Sequence, residues 1–147
     1  MKKFAALLCG AALAVSSVCF ATVSPDKIGI GRAVPGMTVE QLIAIYGQPV
    51  SRHGDDLIFR DFKVEIDDDR PSIVDSIETR SGALATPAGV KVGQGAEVLN
   101  GAYGTADKID DDWHKTEYEY FSSDYSKKIE FTVVGGVITE IKCKVRD

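Results

Sequence analysis

Few side chains in this sequence could do chemistry. They are two histidines, His53 and His114, two runs of aspartate, Asp67–Asp69 and Asp110–Asp112, and the downstream cysteine Cys143. A histidine acting as general base needs a nucleophile or carboxylate held against it. Both histidines stand in polar connecting segments where no such pairing is signalled, so they read as surface residues. A calcium loop alternates its acidic ligands, as in D-x-D-x-D-G, so that their oxygens converge on one ion. Consecutive aspartates point in different directions and neither run continues into that pattern. Both runs read as solvated turns. Cys143 alternates with Ile141 and Val145, which marks a quiet core position rather than a reactive thiol or a dimer cross-link. No catalytic constellation, cofactor or metal site emerges, and a non-enzyme is expected.

The aromatic residues are the stronger candidates. Trp113, Tyr118, Tyr120, Phe121 and Tyr125 crowd into one short stretch. On a strand, Tyr118 and Tyr120 share one face and Phe121 takes the other. A helical layer covers only one side of a sheet and leaves the opposite side available. Tyrosine and tryptophan are favoured anchors where proteins meet. Trp113, Tyr118, Tyr120 and Tyr125 are therefore the candidate partner-binding residues. The competing reading buries most of them in the core of the C-terminal half.

The N-terminus suggests where such a surface would work. Lys2 and Lys3 precede an apolar, alanine-rich run, Phe4–Val18, and Cys19-Phe20-Ala21 supplies the small residues of a cleavage site. This is the pattern of a secretory signal, residues 1–21. The apolar run is shorter than the roughly 18–20 residues that span a bilayer. Neither Leu8 before Cys9 nor Val18 before Cys19 fits a lipoprotein signal. Cleavage after Ala21 would remove Cys9 and Cys19, leaving Cys143 with no intramolecular partner. It would also leave 15 basic against 22 acidic residues, taking the net charge from −5 to −7. So acidic a chain is poorly suited to nucleic acid or anionic lipid. A protein partner and no stable membrane insertion are expected.

The elements that must position these side chains are organised around Pro35–Pro49, PGMTVEQLIAIYGQP. Thr38 and Gln41 have capping-box spacing, and Met37 can pack on Leu42 as a hydrophobic staple. Val39, Leu42, Ile43 and Tyr46 line one helical face, and Gly47 and Pro49 stop the helix. Strand-like runs follow at Asp56–Phe62, Lys63–Asp67 and Ser72–Arg80. The lead-in, Thr22–Val34, contains Ile28 and Ile30, suited to a short edge strand. After a small-residue linker, Ser81–Gly89, a weaker copy of the helix appears at Val92–Ala106, with Gly95 in the cap position and Gly101 inside. Its strands are Thr116–Ser122, Lys127–Val133 and Val137–Val145. For Ile129, Phe131 and Val133 to share a side with Ile141 and Cys143, a three-residue loop Val134–Gly136 with a bulge is expected. The ordered matches between the two halves suggest duplication.

GMTVEQLIAIYGQP resembles the start of the BamE/SmpA-type domain, a small exported module with helices on a three-stranded antiparallel sheet. TPAGVKVGQGAEVLNGAYG with KKIEFTVVGGVITEIK resembles a half-repeat of bacterial cell-envelope proteins. Two such units are similar in layout to the β-lactamase inhibitory protein fold, in which two helix-plus-sheet repeats place their strands in one continuous curved sheet with the helices behind. The resemblance implies an α+β protein of two tandem repeats, residues 22–86 and 87–147. Each would be a helix-plus-three-stranded antiparallel sheet, with the helices packed on one face. None of that inhibitor's partner-contact residues matches a position here. The expected function is an exported, non-enzymatic module, periplasmic or extracellular, binding another envelope or extracellular protein. The alternative is a binder of small ligands or cell-wall polymer.

Overall fold

Helix α1, Val39–Tyr46, starts where its capping chemistry dictates. The computed structural model, which describes residues 22–147, has Thr38 Oγ1 accepting from the Gln41 N–H at 3.1 Å. The Thr38 N–H donates back to Gln41 Oε1 at 3.0 Å, closing the box. Gly47 ends the helix at φ 77°, and Leu42 is its buried residue. The expected signal segment, residues 1–21, lies outside the described residues.

The second helix departs from expectation. Helix α2, Val98–Tyr103, has only six residues, and Glu97 precedes it without a side-chain cap. Gly95 does not serve as the cap because its backbone is used elsewhere. It bridges Val137, and the next N–H, that of Ala96, donates to the Gly136 carbonyl at 2.9 Å. The helix begins only after those contacts are made.

Among the described residues, eight strands form one antiparallel sheet: β1 Ser51–His53, β2 Asp56–Ile58, β3 Lys63–Ile66, β4 Val74–Thr79, β5 Lys108–Asp111, β6 Thr116–Phe121, β7 Lys127–Val134 and β8 Val137–Val145. Their spatial order is β1-β2-β3-β4-β8-β7-β6-β5. This overturns the expected pair of helix-plus-three-stranded repeats. Each half of the chain contributes four strands rather than three, and the halves join at the centre of the sheet through the β4–β8 pairing, Ser76–Thr79 against Ile141–Lys144. Two strands, β1 and β5, were not foreseen, and they form the two edges.

Side-chain alternation sorts this sheet into two faces. Leu57, Val64, Ile77, Cys143, Ile129 and Tyr120 form one continuous row across six strands, and every one of them is buried. The neighbouring row, Asp56, Glu65, Ser76, Lys144, Lys128 and Phe121, faces the other way. The core therefore lies on the helix side alone.

The lead-in belongs to that core and is not an edge strand. A single 3-10 turn, Pro25–Lys27, carries the chain into Ile28, Ile30 and Ala33, none of which has measurable exposure. Both helices are tied to this segment by their final tyrosines. Tyr46 Oη accepts from the Arg32 N–H at 2.8 Å, and Tyr103 Oη donates to the Lys27 carbonyl at 2.9 Å. Gly31, at φ 59°, packs so closely that a Cβ there would stand 2.5 Å from the Tyr46 hydroxyl oxygen.

The β7–β8 hairpin solves its register problem differently from expectation. Gly135 and Gly136, at φ 58° and 78°, form a two-residue turn that pairs Val134 with Val137. That turn alone would send the two apolar sets to opposite faces. A bulge restores them: Val133 pairs with Ile138 and Thr132 with Glu140, leaving Thr139 as the extra residue. Ile138, Ile141 and Cys143 consequently face the core, while Val137 is 41% exposed.

Candidate functional site

The four aromatic candidates do not come together. Tyr120 is 2% exposed and packs against Tyr103 and Phe131, with centroids 5.3 and 6.0 Å away. It is a core residue, which corrects its assignment to a partner surface. Tyr118, on the same face, is half-buried at the margin of the core. Tyr125 lies in the β6–β7 connection at φ 57°, its ring 6.3 Å from Phe121. The Arg146 guanidinium covers both rings, 4.1 Å from the Phe121 centroid and 5.5 Å from Tyr125. This is a local cation–π stack that ties down the C-terminus. Trp113 is at the other end of β6, in the turn between β5 and β6, and is 89% exposed. About 20 Å of strand separates the two ends.

The helix-free face of the sheet is charged and largely neutralises itself. Lys128 Nζ donates to Glu119 at 2.8 Å, and Arg80 Nε donates to Glu140 at 2.7 Å. Lys144 lies 3.5 Å from Asp75, Lys63 lies 3.7 Å from Asp56, and Lys115 pairs with Glu117. Glu130 is the strained member of this face. It stands directly opposite Glu119 on one side and Lys142 on the other. Burial, followed by the nearby Glu117 charge, pushes its carboxyl pKa up. Interleaved charges of this kind keep a sheet face solvated and offer a partner little apolar area.

The β5 edge has a different character. All four residues of β5 are exposed, and among the described residues only one side of the strand is paired, with β6. Ile109, on the core side opposite Tyr118, is 56% exposed. It lines a shallow groove of about 200 Å³ whose apolar wall includes Leu99, Ala106 and Tyr118. The turn is built by Asp112. Its Oδ1 accepts from the His114 N–H at 2.7 Å and the Lys115 N–H at 3.0 Å, and these bonds hold its pKa below the usual carboxylate range. Trp113 and His114 occupy the two turn positions between paired Asp112 and Lys115, with their rings in contact. A rigid turn thus presents the chain's single tryptophan to solvent.

The other sequence candidates are placed as follows. His53 is at the exposed end of β1, far along the sheet order from His114, so the two are not gathered into one site. Asp67 forms its expected turn, accepting from the Asp69 and Arg70 N–H groups and pairing with the Arg70 side chain at 2.6 Å. The second run differs: Asp110 and Asp111 are strand residues and only Asp112 belongs to the turn. Among the described residues, no group of three His, Cys, Asp or Glu side chains converges as a metal site would require. Cys143 is fully buried, and burial pushes its thiol pKa well up.

A larger groove, about 510 Å³, opens between Ile58–Lys63 and Glu78–Ser81. Several of its polar groups already satisfy one another. The Thr79 hydroxyl donates to the Asp61 carbonyl at 2.6 Å, Ser81 Oγ bonds Asp61 Oδ1 at 3.2 Å, and Arg80 is held by Glu140. Little remains there to orient a small ligand.

No protein-family model matches the chain, and none of the curated proteins matches it in sequence. Two solved structures share its fold. The first is YjgB, a DUF4309 family protein from Bacillus subtilis, with a TM-score of 0.51 at 14% identity, covering 74% of this chain and 78% of the other. The second is an extracellular protein containing a SCP domain from Bacillus anthracis. It has a TM-score of 0.53 at 8% identity, and the match covers 99% of this chain and half (50%) of that longer protein. At these identities the likeness is one of fold. Among the described residues, no helix is long and apolar enough to cross a membrane.

Proposed function

We propose that this chain is an exported, non-enzymatic binding module for another envelope or extracellular protein, and that its contact surface is the β5–β6 edge around Trp113. The observation that carries the reading is Trp113 itself, 89% exposed on a turn fixed by Asp112, beside the exposed Ile109. Large aromatic area left in water on a preorganised turn is the pattern of a binding anchor, because burying it releases free energy with little ordering cost. The self-paired charges of the helix-free face make that face the weaker contact surface.

Export is supported by the basic, apolar and small-residue succession of Lys2 to Ala21. The extracellular description of the Bacillus anthracis neighbour agrees with it. The test is affinity capture from envelope extract with the purified chain 22–147 as bait, run beside Trp113→Ala. A specific partner retained by the parent protein and lost with Trp113→Ala is expected. Equal retention by both proteins would sink the assignment of Trp113.

A further inference from the structure

We infer that β5 accepts an extended, cationic segment of the partner as an added ninth strand on the eight-stranded sheet. The inference rests on the protein-binding reading and names the chemistry of the segment that would bind. It starts from backbone hydrogen bonding. The Asp112 N–H donates to the Lys115 carbonyl at 2.9 Å, which makes 112 and 115 a hydrogen-bonded pair. Direction alternates along an antiparallel strand. The N–H and C=O of Asp110 therefore turn inward to β6, and those of Ile109 and Asp111 turn outward to the open edge. An incoming strand finds donors and acceptors spaced as in any ladder.

Side chains set the character of that strand. On the helix-free side it would pass Lys108, which stands opposite Glu119, and then Asp110, which stands opposite Glu117, so the cation of the incoming strand belongs beside Asp110. On the core side it would pass Ile109, with the groove formed by Leu99, Ala106 and Tyr118 beneath, and then Asp111. Alternating Lys or Arg with β-branched residues fits both sides: an ammonium group on the helix-free side meets Asp110, and the apolar side chains on the other side enter the groove. A second copy of this chain fits less well. In the two-fold register that opposes Ile109 with itself and pairs Lys108 with Asp110, Asp107 meets Asp111, so acidic groups are opposed on both flanks.

The probes are two acetylated, amidated hexapeptides, KVKIKV and EVEIEV, titrated into the chain 22–147. Trp113, the only tryptophan, supplies the fluorescence signal, and the Ile109 amide supplies an NMR signal. Saturable binding of KVKIKV with perturbation of both signals is expected, with EVEIEV weaker by roughly tenfold or more. Ile109→Pro removes an outward donor while leaving the β5–β6 ladder its bonds, and it should weaken KVKIKV by about fivefold or more. Asp110→Lys, which leaves the backbone intact, should reverse the preference toward EVEIEV and serves even if the proline variant misfolds. Equal affinity for the two peptides would overturn the inference. So would undiminished binding by a folded Ile109→Pro protein, or no saturable signal up to about 1 mM peptide. Concentration-dependent sedimentation of the protein alone, abolished by Ile109→Pro, would instead seat a second copy on β5 and overturn the assigned occupant. A captured partner sensitive to Trp113→Ala but indifferent to Ile109→Pro would end strand addition while leaving the wider binding reading standing.

Discussion

Asp124 shows how one exposed carboxylate can write a pH dependence into the fold. It accepts from Ser122 Oγ at 2.6 Å and from the N–H and Oγ of Ser126 at 3.0 and 2.7 Å. The Ser122 hydroxyl, then the Ser126 groups, hold its pKa down to about 2 against an ordinary value of 3.8. A depressed folded pKa contributes stability that is complete above the unfolded value and is lost as pH falls toward the folded one. Asp124→Asn should therefore melt below the parent at pH 6, and the gap should narrow between pH 4 and about 2. Thermal melts of both proteins across that range check it. Cys143 makes the complementary case. Its buried thiol, with pKa pushed up, should resist a disulfide reagent at pH 8 in the native chain 22–147 and react as one equivalent in guanidinium. Its core position was legible because alternation with Ile141 and Val145 is a strong local signal. Tyr120 was misread for the same local reason. Alternation places Tyr118 and Tyr120 on one face, but only the register Tyr120–Ile129–Cys143 shows that this is the helix-covered face.

At the scale of elements, legibility followed local chemistry. Helix α1 could be read in full because cap, stripe and stop are all written within Pro35–Pro49. Thr38→Ala should cost about 1 kcal/mol, visible as a melting temperature lowered by about 4 °C, and Thr38→Ser should restore most of it. Helix α2 was misplaced because the backbone of Gly95 and Ala96 is committed to Val137 and Gly136, contacts between residues far apart in sequence. Strand β5 escaped notice because aspartate has low strand propensity, and Asp110-Asp111 disguised it as a turn. The β7–β8 loop was misjudged because a bulge at Thr139 and a three-residue loop solve the same face problem equally well on paper. The helix-free face yields its own prediction. Glu130 directly faces Glu119, and like charges so placed destabilise a sheet by roughly 0.2–1 kcal/mol. Glu130→Gln should raise the melting temperature at pH 7. Because the parent carboxyl's pKa is raised, that advantage should fade as the pH falls through it and the parent group takes up its proton.

Over the whole molecule, one sheet joins both halves of the sequence through β4 and β8, and a buried lead-in fastens both helices to it. Six of the eight strands among the described residues are legible in the sequence and the two at the edges are not, so each half reads as three strands where four are present. Edge strands pair on one side only and need less apolar alternation, which leaves them a faint signature. The proposed contact surface is faint in the sequence for the same reason, apart from Trp113 and Tyr118. The most direct test of its location compares a photo-crosslinking residue at position 113 with one at position 142, which lies on the charged face of β8. Each labelled chain would be incubated with envelope extract and irradiated. The account predicts a discrete adduct from position 113 and none from 142. An adduct from 142 with none from 113 would contradict it and move the contact surface to the charged face.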